Sequence, residues 1–120
     1  MIGHLVISLD FEMHWGVFDN KTVNDYRENL ENVSKVIDRL LEMSDKYGIK
    51  LTFSTVGLLF AKDKSDLHNH IPKNKPTYLL KKLNPYELID SNGNDESEDP
   101  FHYALSQIIK IKDNGNHEIG

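Results

Sequence analysis

An α/β fold with a parallel sheet is the class this sequence predicts, on three observations. Leu5-Val6-Ile7-Ser8-Leu9 is a short apolar run rich in β-branched residues. Apolar residues then recur at helical spacing from Tyr26 to Tyr47. A second run, Ile49-Lys50-Leu51-Thr52-Phe53-Ser54-Thr55-Val56, has strand composition and follows at once. Strand, helix, strand at this spacing is a βαβ unit, whose strands lie parallel.

Each element has its own signals. The first strand, 5–9, is apolar on both faces for most of its length, which predicts cover on both sides. It leads into Asp10-Phe11-Glu12-Met13-His14-Trp15-Gly16, where polar and apolar residues alternate. If the chain stays extended there, Asp10, Glu12 and His14 share one face. For the long helix, Asn24 or Asp25 is the expected N-cap. Tyr26, Leu30, Val33, Ile37, Leu40 and Tyr47 form the buried stripe, widened by Val36 and Leu41, and Gly48 is the stop.

The stretch 58–99 is less regular. Leu58 to Ala61 begins a short helix, and Thr77 to Leu83 is read as another. Between them, Pro72 and Pro76 impose a loop. Residues 90–99 carry five acidic side chains and Gly93, which predicts an exposed loop. In the last helix Asp99 is the expected N-cap and Pro100 the first helical residue. Phe101, Ala104, Leu105, Ile108 and Ile109 form its apolar face, and Gly115 ends it. His117-Glu118-Ile119-Gly120 then begins a third strand.

Composition narrows the chemistry. The chain has 120 residues, enough for one domain. It is 38% hydrophobic and 28% charged, which excludes a collagen-like or wholly disordered chain. A net charge of −5 makes it a poor partner for nucleic acid. With no cysteine there is no disulfide framework and no thiol nucleophile, so any metal must rest on His, Asp and Glu. No apolar run approaches the roughly 18 residues of a membrane span, and no secretory signal is visible at the N-terminus. A cytoplasmic location is the expectation from these absences.

Asp10, Glu12 and His14 are the foremost candidates for chemistry. They follow an apolar strand, and α/β sites collect at the carboxyl ends of parallel strands. Two carboxylates and an imidazole on one face offer a divalent cation oxygen and nitrogen ligands. In the alternative division of labour one carboxylate is a general base and the other holds the metal. The competing reading is a polar strand end satisfied by water. Trp15, the single tryptophan, either walls a pocket and stacks on a sugar or simply packs. His68 and His70 read as a solvated surface pair, His102 as a surface or cap-adjacent residue, and Asp95 to Asp99 as a solvated acidic face. No Gly-x-Gly-x-x-Gly, Gly-Lys-Ser/Thr or Gly-x-Ser-x-Gly motif is present.

Three segments carry a resemblance. Leu5 to Glu12, Leu51-Thr52-Phe53-Ser54-Thr55-Val56-Gly57 and Asn116-His117-Glu118-Ile119-Gly120 resemble, in order, the first three strand motifs of the polysaccharide deacetylases of the NodB-homology family. The Asp-Phe-Glu variant followed by Trp-Gly is similar to members linked to cell-surface polysaccharide synthesis. The resemblance implies a distorted (β/α) barrel and removal of acetyl groups from an acetylated sugar or polysaccharide precursor by a divalent metal, usually zinc. It implies Asp10 as the general base acting on metal-bound water, and Glu12 as the acidic metal ligand. Many members place the second acid directly after the first, where this chain has Phe11.

The family's two metal histidines lie in a His-x-x-x-His motif just after the third segment, and these 120 residues contain no such motif. Residues 1–120 therefore read as a single incomplete NodB-like domain, its N-terminal part, expected to be inactive alone. The metal is expected in the complete domain, and this chain by itself can lack it. Open sheet edges predict self-association into a homo-oligomer. Two further readings stay open: a non-catalytic α/β domain for oligomerisation or binding, and a different metal hydrolase built on Asp10, Glu12 and His14 alone.

Overall fold

The computed structural model describes residues 3–120. Three parallel strands, β1 (Ser8–Phe11), β2 (Thr52–Thr55) and β3 (Glu118–Ile119), form one sheet in the order β1-β2-β3. Helix α1 (Val23–Tyr47) joins β1 to β2, completing the expected βαβ unit. The return from β2 to β3 carries α2 (Lys64–His70), α3 (Tyr86–Ile89) and α4 (Leu105–Asn114). Mixed α/β architecture with a small parallel sheet is thus what the chain adopts.

The sheet is covered on one face. Phe11 and Phe53 point into a core with Ile37 and Leu41 of α1, Leu59, Leu67, and Ile108 and Ile111 of α4. On the other face Ser8, Asp10, Ser54 and Glu118 are exposed. This corrects the expectation of a first strand covered on both sides. Pairing starts at Ser8, three residues later than expected, and Leu5 and Val6 are 88% and 77% exposed. The strand extends instead through Asp10 to Phe11, whose ring closes the core.

Helix α1 begins earlier than expected. Its N-cap is Thr22, not Asn24 or Asp25. Thr22 Oγ1 accepts from the Asp25 N–H at 3.2 Å, and the Asp25 carboxylate accepts from the Thr22 N–H at 3.1 Å. This reciprocal box satisfies two donors that a helix start leaves orphaned. Gly48 ends the helix at φ 63°, a left-handed conformation that glycine adopts without steric cost.

Residues 99–104 differ from the expected helix start. Asp99 to Tyr103 form a turn, and α4 starts only after Ala104. Ala104 has no capping side chain, and Glu96 supplies the cap from the preceding loop. Its carboxylate accepts from the Ser106 N–H at 3.0 Å and from the Ser106 hydroxyl. Of the short helix expected over 77–83, only a 3-10 turn at Lys81–Leu83 forms, while Gly57–Phe60 makes a 3-10 turn near the expected 58–61. His68 and His70 lie at the end of α2 rather than in a loop, with both imidazoles largely solvated.

Candidate functional site

Two groups of polar residues flank the C-terminal end of β1. The first is Asp10 and Glu12. Both are exposed, and both line an open cavity of about 480 Å³ between the end of β1 and α1. Its other walls mix apolar Leu30, Val33 and Ile37 of α1 and Phe53 of β2 with polar Asn29 and Asn32 of α1. Asp10 stands in register with Ser54, so a hydroxyl lies beside it on the open face of the sheet. Glu12 folds back over Gly16. A Cβ placed on Gly16 would lie 2.8 Å from the Glu12 Cβ and 2.9 Å from its Cδ.

His14 does not join this pair. Met13 takes φ 51°, a left-handed value rare for a non-glycine residue, and Met13–Gly16 winds into a 3-10 turn. The extended conformation that would align Asp10, Glu12 and His14 therefore ends at Phe11. His14 turns inward to 5% exposure. Both of its ring nitrogens are used: Nδ1 lies 2.7 Å from His102 Nε2, and Nε2 lies 2.9 Å from the Lys21 carbonyl. Expectation and structure part here, because a nitrogen already bound to a carbonyl is not free to ligate a cation. Among the described residues no group of three or more His, Asp and Glu side chains is arranged to hold a metal. Among the described residues Asp10 and Glu12 thus have no third such side chain grouped with them.

The second group surrounds His14. His102 is buried, contrary to its expected surface position, and its Nδ1 donates to the Asp99 carboxylate at 2.8 and 2.9 Å. Asp99 also accepts from the backbone N–H of Gly93 at 3.0 Å and of Phe101 at 3.3 Å. Trp15 Nε1–H donates to the His102 carbonyl at 2.9 Å, and its ring meets the His102 ring edge to face. Trp15 is 6% exposed and lines none of the open cavity beside Asp10 and Glu12. Of its two expected roles, packing is the one its surroundings carry.

Proton counting fixes the charge of this group. A carboxylate and a carbonyl accept only, so His102 Nδ1 and His14 Nε2 must each carry a hydrogen. The bond between the two rings needs one more. Three N–H hydrogens on two imidazoles make one imidazolium and one neutral ring, and Asp99 balances the charge. Burial pushes the His14 imidazole below the ordinary histidine value, with the Lys21 carbonyl opposing and His102 reinforcing that shift. Burial raises the Asp99 carboxyl, but the hydrogen bonds from His102, Gly93 and Phe101 outweigh it and hold Asp99 below the usual carboxylate range.

These contacts tie distant parts of the chain together. The turn after β1 is fastened to the loop before α4 through His14–His102, Trp15–His102 and the His14 N–H, which donates to the Phe101 carbonyl at 3.1 Å. Sequence reasoning missed Asp99 and His102 as a pair. Their separation of three residues around a proline was the available signal. It matched a helix N-cap equally well.

His117, in the segment before the end of the chain, is a structural residue. Its Nδ1 accepts from the Leu51 N–H at 3.2 Å, so Nε2 carries the hydrogen and faces Ser44 Oγ at 3.2 Å. No family model, no curated protein and no solved structure matches this chain.

Proposed function

We propose that this chain contributes to a metal-dependent carbohydrate deacetylase, a hydrolase acting on acetylated sugars, as the N-terminal part of a NodB-type barrel. The observation that supports the reading best is Asp10 and Glu12 lining one cavity at the carboxyl end of the first strand of a parallel βαβ unit. Asp10 is the proton acceptor for the attacking water. Glu12 is the carboxylate offered to a divalent cation, zinc by the resemblance, which in the complete domain supplies Lewis acidity. His14 has no place in this set, since its nitrogens hold His102 and the Lys21 carbonyl.

Zinc titration calorimetry on the parent chain and on Glu12→Gln and His14→Gln tests the assignment. Weak binding that Glu12→Gln abolishes and His14→Gln preserves is expected. Binding lost on His14→Gln and kept on Glu12→Gln overturns it in favour of a His14-centred site.

A second reading, association without catalysis, is favoured by one feature. β1 is an edge strand, and beside it α1 exposes Val36, Met43 and Tyr47. Sedimentation at micromolar concentration decides: a monodisperse monomer removes this reading.

A further inference from the structure

Basic charge in this chain is segregated. Between Ile71 and Tyr86 there are four lysines, Lys73, Lys75, Lys81 and Lys82, and no acidic residue. The whole chain carries −5, so everything outside this segment carries −9. All four lysines are exposed, and none pairs with a carboxylate among the described residues.

The same segment exposes its leucines. Leu79 is 104% exposed, Leu80 56% and Leu83 40%. They are not scattered. The Leu83 N–H donates to the Leu80 carbonyl at 2.9 Å, closing a 3-10 turn in which side chains three apart eclipse. Leu79, Leu80 and Leu83 thus belong to one turn, with Leu80 as its extended cap and Lys81 and Lys82 between. The base of the loop is anchored. Tyr78 lies against Tyr86 at 6.5 Å, Lys75 Nζ sits 5.2 Å over the Tyr86 ring, and Tyr86 packs on the core.

We propose that residues 72–83 form a docking loop for an anionic lipid surface. Lysines are drawn to the negative headgroups, and each contributes attraction within a Debye length of the membrane. Leucines at the tip leave water for the acyl boundary, and Tyr78 and Tyr86 lie at the depth where tyrosines favour the headgroup region. Nucleic acid would use the lysines but gains nothing from three exposed leucines, so lipid is the occupant both features serve. The inference is independent of Asp10 and Glu12.

Co-sedimentation with vesicles tests it on the full chain. Vesicles of phosphatidylcholine alone are compared with phosphatidylcholine mixed with an equal part of phosphatidylglycerol. The parent chain is expected to pellet with the mixed vesicles only, and to be released by raised salt. Lys81→Gln with Lys82→Gln should weaken binding about 25-fold, at about fivefold per lysine. Leu79→Ser with Leu80→Ser should weaken it by about tenfold or more. Both pairs are exposed, and an unchanged thermal midpoint confirms that the variants fold. No pelleting by the parent, or pelleting that neither pair alters, overturns the proposal. So does retention of a single-stranded oligonucleotide by parent and leucine variant alike, or a dimer that only the lysine variant dissolves.

Discussion

The imidazoles of His14 and His102 meet edge to face, Nδ1 to Nε2 at 2.7 Å, across 88 residues of sequence. One hydrogen joins them, and the bonds at either end, to the Lys21 carbonyl and to Asp99, demand one each. A fourth proton would set two N–H groups against each other.

Acid should therefore unfold this protein early. His14 is held below its unfolded value of 6.5, so the unfolded chain binds more protons as pH falls below that value. Below that value stability declines as pH falls. Asp99, also held below its unfolded value of 3.8, adds a second loss at still lower pH. Urea unfolding at pH 6.5 and 5.0 should show a lower midpoint at 5.0, and His14→Phe should flatten that difference. An unchanged midpoint in the parent chain would contradict the protonation assignment.

Removing the counter-charge should cost more than removing an ordinary surface acid. Asp99→Asn leaves the shared imidazolium buried without its partner, while two backbone donors lose a charged acceptor. Breaking one side of a buried pair costs about 3 kcal/mol or more. Asp113→Asn, on an exposed position of α4, should change stability by less than about 0.5 kcal/mol. Chemical denaturation of the two variants side by side checks the contrast.

Gly16 controls where the Glu12 carboxylate sits. The Glu12 side chain occupies the space a Cβ on residue 16 would take. Gly16→Ala should displace the carboxylate from its position over the turn and also lower stability, because the Glu12 Cβ, 2.8 Å from the new methyl, moves only with the backbone. Under the deacetylase reading, zinc affinity falls in Gly16→Ala as it does in Glu12→Gln, measured below the lowered thermal midpoint of Gly16→Ala so that folded protein is compared with folded protein. Affinity unchanged by Gly16→Ala would mean that the folded-back position of Glu12 is not the one that meets the cation.

What the sequence made legible was periodicity. The α1 stripe and the β-branched runs express periods of 3.6 and 2 residues, Gly48 gives the helix stop, and the parallel pairing of β1 with β2 follows from the βαβ rule. What it hid was set by tertiary contact. Alternation after Phe11 looked extended, but the left-handed Met13 redirects His14 into the core. The acidic run 95–99 looked solvated, yet Glu96 caps a helix that lacks its own cap and Asp99 holds a buried imidazole. Charge composition alone cannot distinguish these from a solvated face, because their partners lie elsewhere in the chain. Asp10 and Glu12 stood out as candidates because α/β sites collect at the carboxyl ends of parallel strands.

His117 should behave as a structural residue rather than a metal ligand. It accepts the N–H of buried Leu51, the residue leading into β2, and links it to Ser44 of α1, whose hydroxyl donates to the Leu40 carbonyl at 2.7 Å. His117→Ala leaves a buried backbone donor unsatisfied, which costs about 1–3 kcal/mol. Gln at this position has an amide oxygen that can accept from Leu51 and an amide hydrogen that can reach Ser44, so His117→Gln should recover part of the loss. Hydrogen exchange at the Leu51 amide reads the effect locally: faster in His117→Ala, and intermediate in His117→Gln. Zinc affinity should be the same in all three proteins, whereas a drop on His117→Ala that outlasts correction for unfolded chain would place this imidazole in the metal site instead.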